Sequence, residues 1–175
     1  MPRSDARLNR ERILDAARTV LGAGGEPSMN AVAKAAGIGP GTLYRHFPTR
    51  DDLVTAVFRA DVDELAAAVG PLLEQHGPLE ALDRWLVLVV ERVHARAGLA
   101  DTLAGAEASA LYAVVRDALA ELLRAGIGAG QVRAEPDPDD VVLVVGLLCR
   151  ADVTPERAAR LVDLLLHGLA ARTAA

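Results

Sequence analysis

Ser28–Leu53, SMNAVAKAAGIGPGTLYRHFPTRDDL, holds two short helices and the start of a third. Ser28 is an N-cap, its hydroxyl able to accept from the orphan amides of the next turn, and Met29, Val32, Ala33 and Ala36 form a short apolar stripe that Gly37 ends. This predicts a helix over 29–36. Gly39-Pro40 starts the next element, because proline at the first helical position gives up no hydrogen bond and presets φ; that helix covers 40–46 and stops before Pro48. Thr49-Arg50-Asp51-Asp52 then sets a capping hydroxyl three residues before a carboxylate, with both acids in the positive first turn of a third helix. Two short helices joined tightly at Gly37-Ile38-Gly39 are the parts of a helix-turn-helix. In its second helix Leu43 and Phe47, four apart, face inward together, while Thr42, Tyr44, Arg45 and His46 lie within one and a half turns.

Working upstream, Ile13, Leu14, Ala17, Val20 and Leu21 keep helical spacing and predict a helix over 8–22, ended by Gly22, Gly24 and Gly25. Downstream, the helix opened by Thr49 is expected to reach about Val69, before Gly70-Pro71. Gly77-Pro78 opens another, with Leu82, Trp85, Leu86, Val89, Val90 and Val93 on one broad face, closing near Gly98. Residues 99–105 read as a short helix or turn. Leu111, Tyr112, Val115, Leu119, Leu122 and Leu123 carry a helix over 106–125, broken by Gly126, Gly128 and Gly130.

The valine run from Val141 to Cys149 suits a buried strand as well as a helix. Its preface, Asp137-Pro138-Asp139-Asp140, decides for helix: a capping carboxylate, an N1 proline and two acids stand where a helix start wants them. Thr154-Pro155-Glu156 repeats the device for a last helix reaching about Ala171. The expectation is an all-α fold of eight or nine helices: a three-helix domain over 1–50 and a helical bundle over 51–175.

Composition agrees. With 51% hydrophobic and 25% charged residues the chain is too apolar for disorder, and with aromatics at 3% its core must be Ala, Leu and Val, which fill helix bundles more readily than sandwiches. The net charge of −5 conceals an asymmetry: residues 1–50 hold eight basic against four acidic side chains, the remainder 11 against 20. A basic head on an acidic body is the charge pattern of a polyanion-binding module joined to something else. A single cysteine, Cys149, excludes an internal disulfide and a cysteine-based zinc site. The N-terminus lacks the apolar core of a signal sequence, and no apolar run approaches the ~20 residues that span a bilayer, so no membrane partner and a cytoplasmic location are expected. His76, His94 and His167 are dispersed, and no nucleophile elbow or phosphate-cradling glycine loop occurs, so neither enzyme, metal nor cofactor is expected.

A Ser before the first short helix, Ala33 to Gly37 at the turn, Gly41 to Phe47 reading Gly-Thr-Leu-Tyr-Arg-His-Phe, then Arg50 and the acids after it resemble the TetR family of bacterial transcription regulators over about residues 8–55. The resemblance implies that Ser28 caps its helix and touches a phosphate, that Pro40, Thr42 and Arg45 approach bases, Arg45 suiting a bidentate guanine contact, and that Tyr44 and His46 clamp the sugar-phosphate backbone. Arg50 supplies the charge of a common lysine, and Arg3 and Arg7 a flexible arm. Gly39 departs from the usual Ser or Thr and lacks their cap. Lys34 reads as a simply exposed side chain or as a phosphate contact.

The family also implies a body that dimerises through its last two helices and holds an effector between the middle ones. Segments 138–150 and 155–171 are more apolar than one buried face requires, in keeping with a homodimer seam. Trp85 and Tyr112, the aromatics beyond residue 58, either pack in the core or, with Val89, Leu103 and Leu147, line a site for a small apolar effector. The function implied is a ligand-responsive repressor on a pseudo-palindromic duplex operator; the alternative is a DNA-bound structural or assembly factor that regulates no promoter.

Overall fold

The computed structural model describes residues 2–22, 28–96, 105–134, 136–148 and 153–171. These form eight helices: α1 (Pro2–Gly22), α2 (Met29–Ala36), α3 (Pro40–His46), α4 (Arg50–Gln75), α5 (Pro78–His94), α6 (Gly105–Gly128), α7 (Pro138–Leu148) and α8 (Pro155–Leu169). The bounds of α2 and α3 are those the capping residues predict. Ser28 Oγ accepts from Ala31 N at 3.1 Å, and Gly37 ends α2 in the left-handed region at φ 67°, its N–H turned back to Ala33 and Lys34 carbonyls. Thr49 and Asp52 cap α4 reciprocally: Asp52 N donates to Thr49 Oγ1 at 3.1 Å, and Thr49 N to Asp52 Oδ2 at 3.0 Å. The valine-rich segment is helical, with Asp137 Oδ1 accepting from Asp139 N at 2.8 Å.

The contacts divide the described residues into two compact units, one reaching to Asp61 and the other from Val62 onward, with α4 contributing to both. In the first unit α1 lies along α2, and Ile13, Ala17, Val32, Ala33, Leu43, Phe47, Leu53, Val54 and Val57 close a single core. Each large member contributes about 1.5–3 kcal/mol of burial. Because Leu53, Val54 and Val57 belong to that core, the opening turns of α4 are part of the helix-turn-helix unit, beyond the boundary expected at residue 50. Arg18 on α1 pairs with buried Asp61 on α4, Nε to Oδ1 at 2.9 Å.

In the second unit α5 packs on α6 and α8, around Leu82, Trp85, Leu86, Leu119, Leu122 and Val162. His94 at the end of α5 has Val90 O and Val153 O each 2.9 Å from its two ring nitrogens, so the side chain joins the residue before the α8 cap to α5. Arg133 N donates to Leu169 O and Ala171 N to Gln131 O, tying the segment after α6 to the end of α8, and this bridge stops α8 at Leu169 rather than near Ala171.

Three further boundaries differ from expectation, each for a tertiary reason. Helix α4 runs through Gly70-Pro71 to Gln75, because Leu72 and Leu73 beyond the proline pack on the second core and outweigh the lost hydrogen bond. Helix α6 passes Gly126 and ends at Gly128, since Gly126 sits where a Cβ would collide with the Val132 side chain and only glycine lets the chain fold back so closely. Helix α1 begins at Pro2, so Arg3 and Arg7 stand on helical backbone and not on an extended arm. Of the short helix or turn expected over 99–105, residues 99–104, Leu103 among them, lie outside the described residues, as does Cys149.

Candidate nucleic-acid interface

The short helix α3 has two chemically distinct sides. Leu43 and Phe47 are buried in the first core, as their four-residue spacing requires. Arg45 stands on the opposite side and Tyr44 on the flank, both exposed, with Pro40 exposed at the N-terminal end and Thr42 and His46 half-buried. Tyr44, 48% exposed, shows an aromatic ring to solvent on a helix whose apolar needs are already met. Among the described residues neither Tyr44 nor Arg45 has a hydrogen-bond or ion-pair partner, so the phenol and five guanidinium donors are available to an external acceptor. Gly39 gives α3 no side-chain cap, as its residue type dictates.

Around this helix the fold holds its turn rigidly. Arg12 on α1 donates from Nη2 to Ala36 O at 3.0 Å, fixing the C-terminal end of α2 where carbonyls are unpaired and the helix dipole is negative. Ile38 N donates to Ala33 O at 3.0 Å, completing the turn. At the far end of α3, the Arg10 guanidinium lies 4.7 Å from the centroid of the Phe47 ring, which is itself 6.4 Å from the ring of His46. Arg50 opens α4 with its guanidinium 4.0 Å from Asp51, an exposed pair too loose to hold it. Lys34 is exposed on α2. Ser28, Pro40, Thr42, Tyr44, Arg45, His46 and Arg50 are the residues sequence reasoning named; it gave no sign of the contacts of Arg10 and Arg12, whose partners lie far along the chain and leave no local signal.

The residues expected to meet an effector differ in burial. Trp85 and Val89 are in the core, the indole Nε1 donating to Leu65 O at 2.8 Å. Tyr112 is exposed, donating from its hydroxyl to Asp139 Oδ1 at 2.9 Å, and this bond to a carboxylate holds the phenol above its ordinary pKa. Leu147 is exposed on α7. An open cleft of about 680 Å³ is lined instead by Leu79, Asp83, Gln131, Asp163, Leu166 and His167, among others. Among the described residues no His, Cys, Asp and Glu group is arranged for a metal ion, and no helix is long and apolar enough to cross a membrane.

Known proteins with this arrangement are regulators. A family model described as bacterial regulatory proteins of the tetR family matches residues 13–57, and one described as the C-terminal domain of SbtR-like transcriptional regulators matches residues 77–171. An HTH-type transcriptional regulator of Staphylococcus aureus is 46% identical over 63 residues, 35% of this chain and 34% of the relative. The match thus spans about a third of the length of such curated relatives. A TetR transcriptional regulator from Streptomyces coelicolor is 32% identical with a TM-score of 0.81, over 94% of this chain and 99% of the other. A TetR transcription regulatory protein from Mycobacterium vanbaalenii is 33% identical with a TM-score of 0.78, over 97% and 99%. With its reading helix uncovered on one side and buried on the other, and with both units matched, the chain belongs to the TetR family of bacterial transcriptional regulators, DNA-binding proteins and not enzymes.

Proposed function

We propose that this regulator is a ligand-responsive repressor, working in the cytoplasm as a homodimer on a pseudo-palindromic duplex operator. The domain expected over residues 1–50, together with the opening turns of α4, does the reading, and the remainder of 51–175 forms the ligand-binding and dimerisation body. The observation that carries the DNA half is α3 itself, with Leu43 and Phe47 buried while Arg45 and Tyr44 are uncovered and, among the described residues, unpartnered. In this reading α3 enters the major groove, Pro40, Thr42 and Arg45 meet base edges, and Arg45 takes a guanine bidentately. Tyr44 and His46 clamp the sugar-phosphate backbone, while Ser28 and Arg50 add phosphate contacts at either side.

Dimerisation through α7 and α8 is supported by apolar side chains left in solvent there: Leu143 is 61% exposed, Leu147 54% and Leu164 65%. A two-fold axis along that face sets two reading helices ~34 Å apart, one turn of duplex. The effector is a small apolar molecule taken into the Leu, Val and Ala interior of the second unit, where Trp85 and Val89 meet it. It releases DNA only through differential affinity for two packings of the body; a ~100-fold loss of operator binding requires ~2.7 kcal/mol of coupling.

The experiment is a mobility-shift assay of the full chain on duplex DNA flanking its own gene, repeated with a panel of small apolar compounds, alongside light scattering. A shifted band with dimer mass that a compound abolishes supports the whole reading. A monomer indifferent to the duplex rejects it.

A further inference from the structure

The three arginines of α1 whose side chains are described differ in what holds them. Arg12 donates to Ala36 O, and Arg18 pairs with Asp15 and Asp61. Arg10 is exposed, and among the described residues no carboxylate pairs with it. Among the described residues its partner is the ring of Phe47, 4.7 Å away. That ring is buried and ends the reading helix as its C-cap. Contact with one ring engages only part of a guanidinium and leaves others of its five N–H donors free to bind elsewhere. A long cationic side chain is thereby held against a rigid platform, next to His46 in the series Arg10, Phe47, His46.

We propose that Arg10 is a further DNA contact, donating to a phosphate of the backbone beside the groove that α3 enters, so that α1 shares in binding. The inference rests on the DNA reading given above. It identifies the ligand by its chemistry: a phosphodiester oxygen matches the in-plane fork of a guanidinium. The competing role is internal, with Arg10 only shielding Phe47 and so positioning α3.

The two roles separate by salt dependence. Binding of the full-length chain is followed by fluorescence anisotropy on a duplex recovered from a randomised pool by selection on the wild type, and on an unselected duplex of equal length, from about 0.05 to 0.3 M salt. Arg10→Met keeps an alkyl stem over the ring and removes the charge. It should flatten the log–log salt slope by about 0.9 per protomer and weaken both duplexes alike, about tenfold per protomer. Arg10→Lys should restore the slope. An unchanged slope in Arg10→Met overturns the proposal whether affinity falls, which would leave only the positioning role, or holds. Arg45→Ala on the same duplexes is the reference: a loss confined to the selected sequence upholds the reading helix even if Arg10 fails. A pool that yields no bound sequence rejects both.

Discussion

Arg12 Nη2 and the carbonyl oxygen of Ala36 are 3.0 Å apart across 24 residues of chain. The bond places a fixed positive charge on the last turn of α2, beside Gly37 at φ 67°, where an L side chain is strained. The turn between α2 and α3 is therefore held from outside by α1, so the angle at which α3 is presented depends on a helix that precedes it.

Arg12→Ala should destabilise the first unit by about 1–2 kcal/mol, the worth of a charge-assisted bond at a half-exposed helix end. Urea unfolding followed by circular dichroism reads it. A midpoint equal to wild type would mean that the turn holds itself.

Gly39→Ser should do the opposite. Its backbone is already in the extended N-cap conformation, φ −72° and ψ 147°, and a Cβ there meets nothing within 4 Å. The new hydroxyl can accept from the uncapped first turn of α3, for a gain of a few tenths to about 1 kcal/mol. A fall in thermal midpoint would show that the glycine is needed for its backbone freedom.

Helix propensity alone says that Gly126→Ala stabilises α6 by about 1 kcal/mol. The close approach of Val132 reverses the sign, and overpacking should cost about 1–3 kcal/mol. The double variant with Val132→Ala should recover part of the loss, and its failure to do so in chemical denaturation would place the strain elsewhere.

Arg45→Ala should weaken operator binding by about 1–3 kcal/mol and relax preference at one base position, whereas Arg50→Ala should weaken all sequences alike and flatten the salt slope. Competition with a library of single-base operator variants separates the two. Equal loss across that library for Arg45→Ala would move it from base reader to phosphate contact.

Tyr112 gives the second unit an alkaline limit. Its hydroxyl donates to Asp139, which raises its pKa above the ordinary value near 10. A group whose folded pKa is raised adds stability that is complete below its unfolded pKa and is lost as pH climbs through the folded one. The thermal midpoint should therefore drop above about pH 10 more steeply in the wild type than in Tyr112→Phe. Parallel curves would mean that the bond is not kept in solution. At the acid end, Glu80 beside Arg84 and Glu156 at the start of α8 are held below the usual carboxylate range, so the stability they add disappears as pH falls through their lowered values.

Much of the reading head was legible because its signals are local. Ser28, Gly37, Pro40, Thr49 and Asp52 act on amides within a few residues, so α2, α3 and the start of α4 could be placed from residue type and spacing. The same holds for the valine-rich α7, whose ambiguity the Asp137 cap resolved. The effector residues were read on a weaker basis. Trp85 and Tyr112 share an amphipathic chemistry, but Trp85 spends its N–H on Leu65 inside the core while Tyr112 stands in solvent, and aromatic character does not distinguish those outcomes.

By itself, the sequence determined which segments are helical and which side of α3 is polar, because helix period, caps and breakers act over a single turn of chain. Tertiary packing was needed to carry α4 past Pro71 and α6 through Gly126, and to bring Arg10 to Phe47 and Arg12 to Ala36 O. Each of those outcomes is set by a partner beyond the neighbouring turn of helix, and for α4 and α6 its packing outweighs a local preference of about 1–3 kcal/mol.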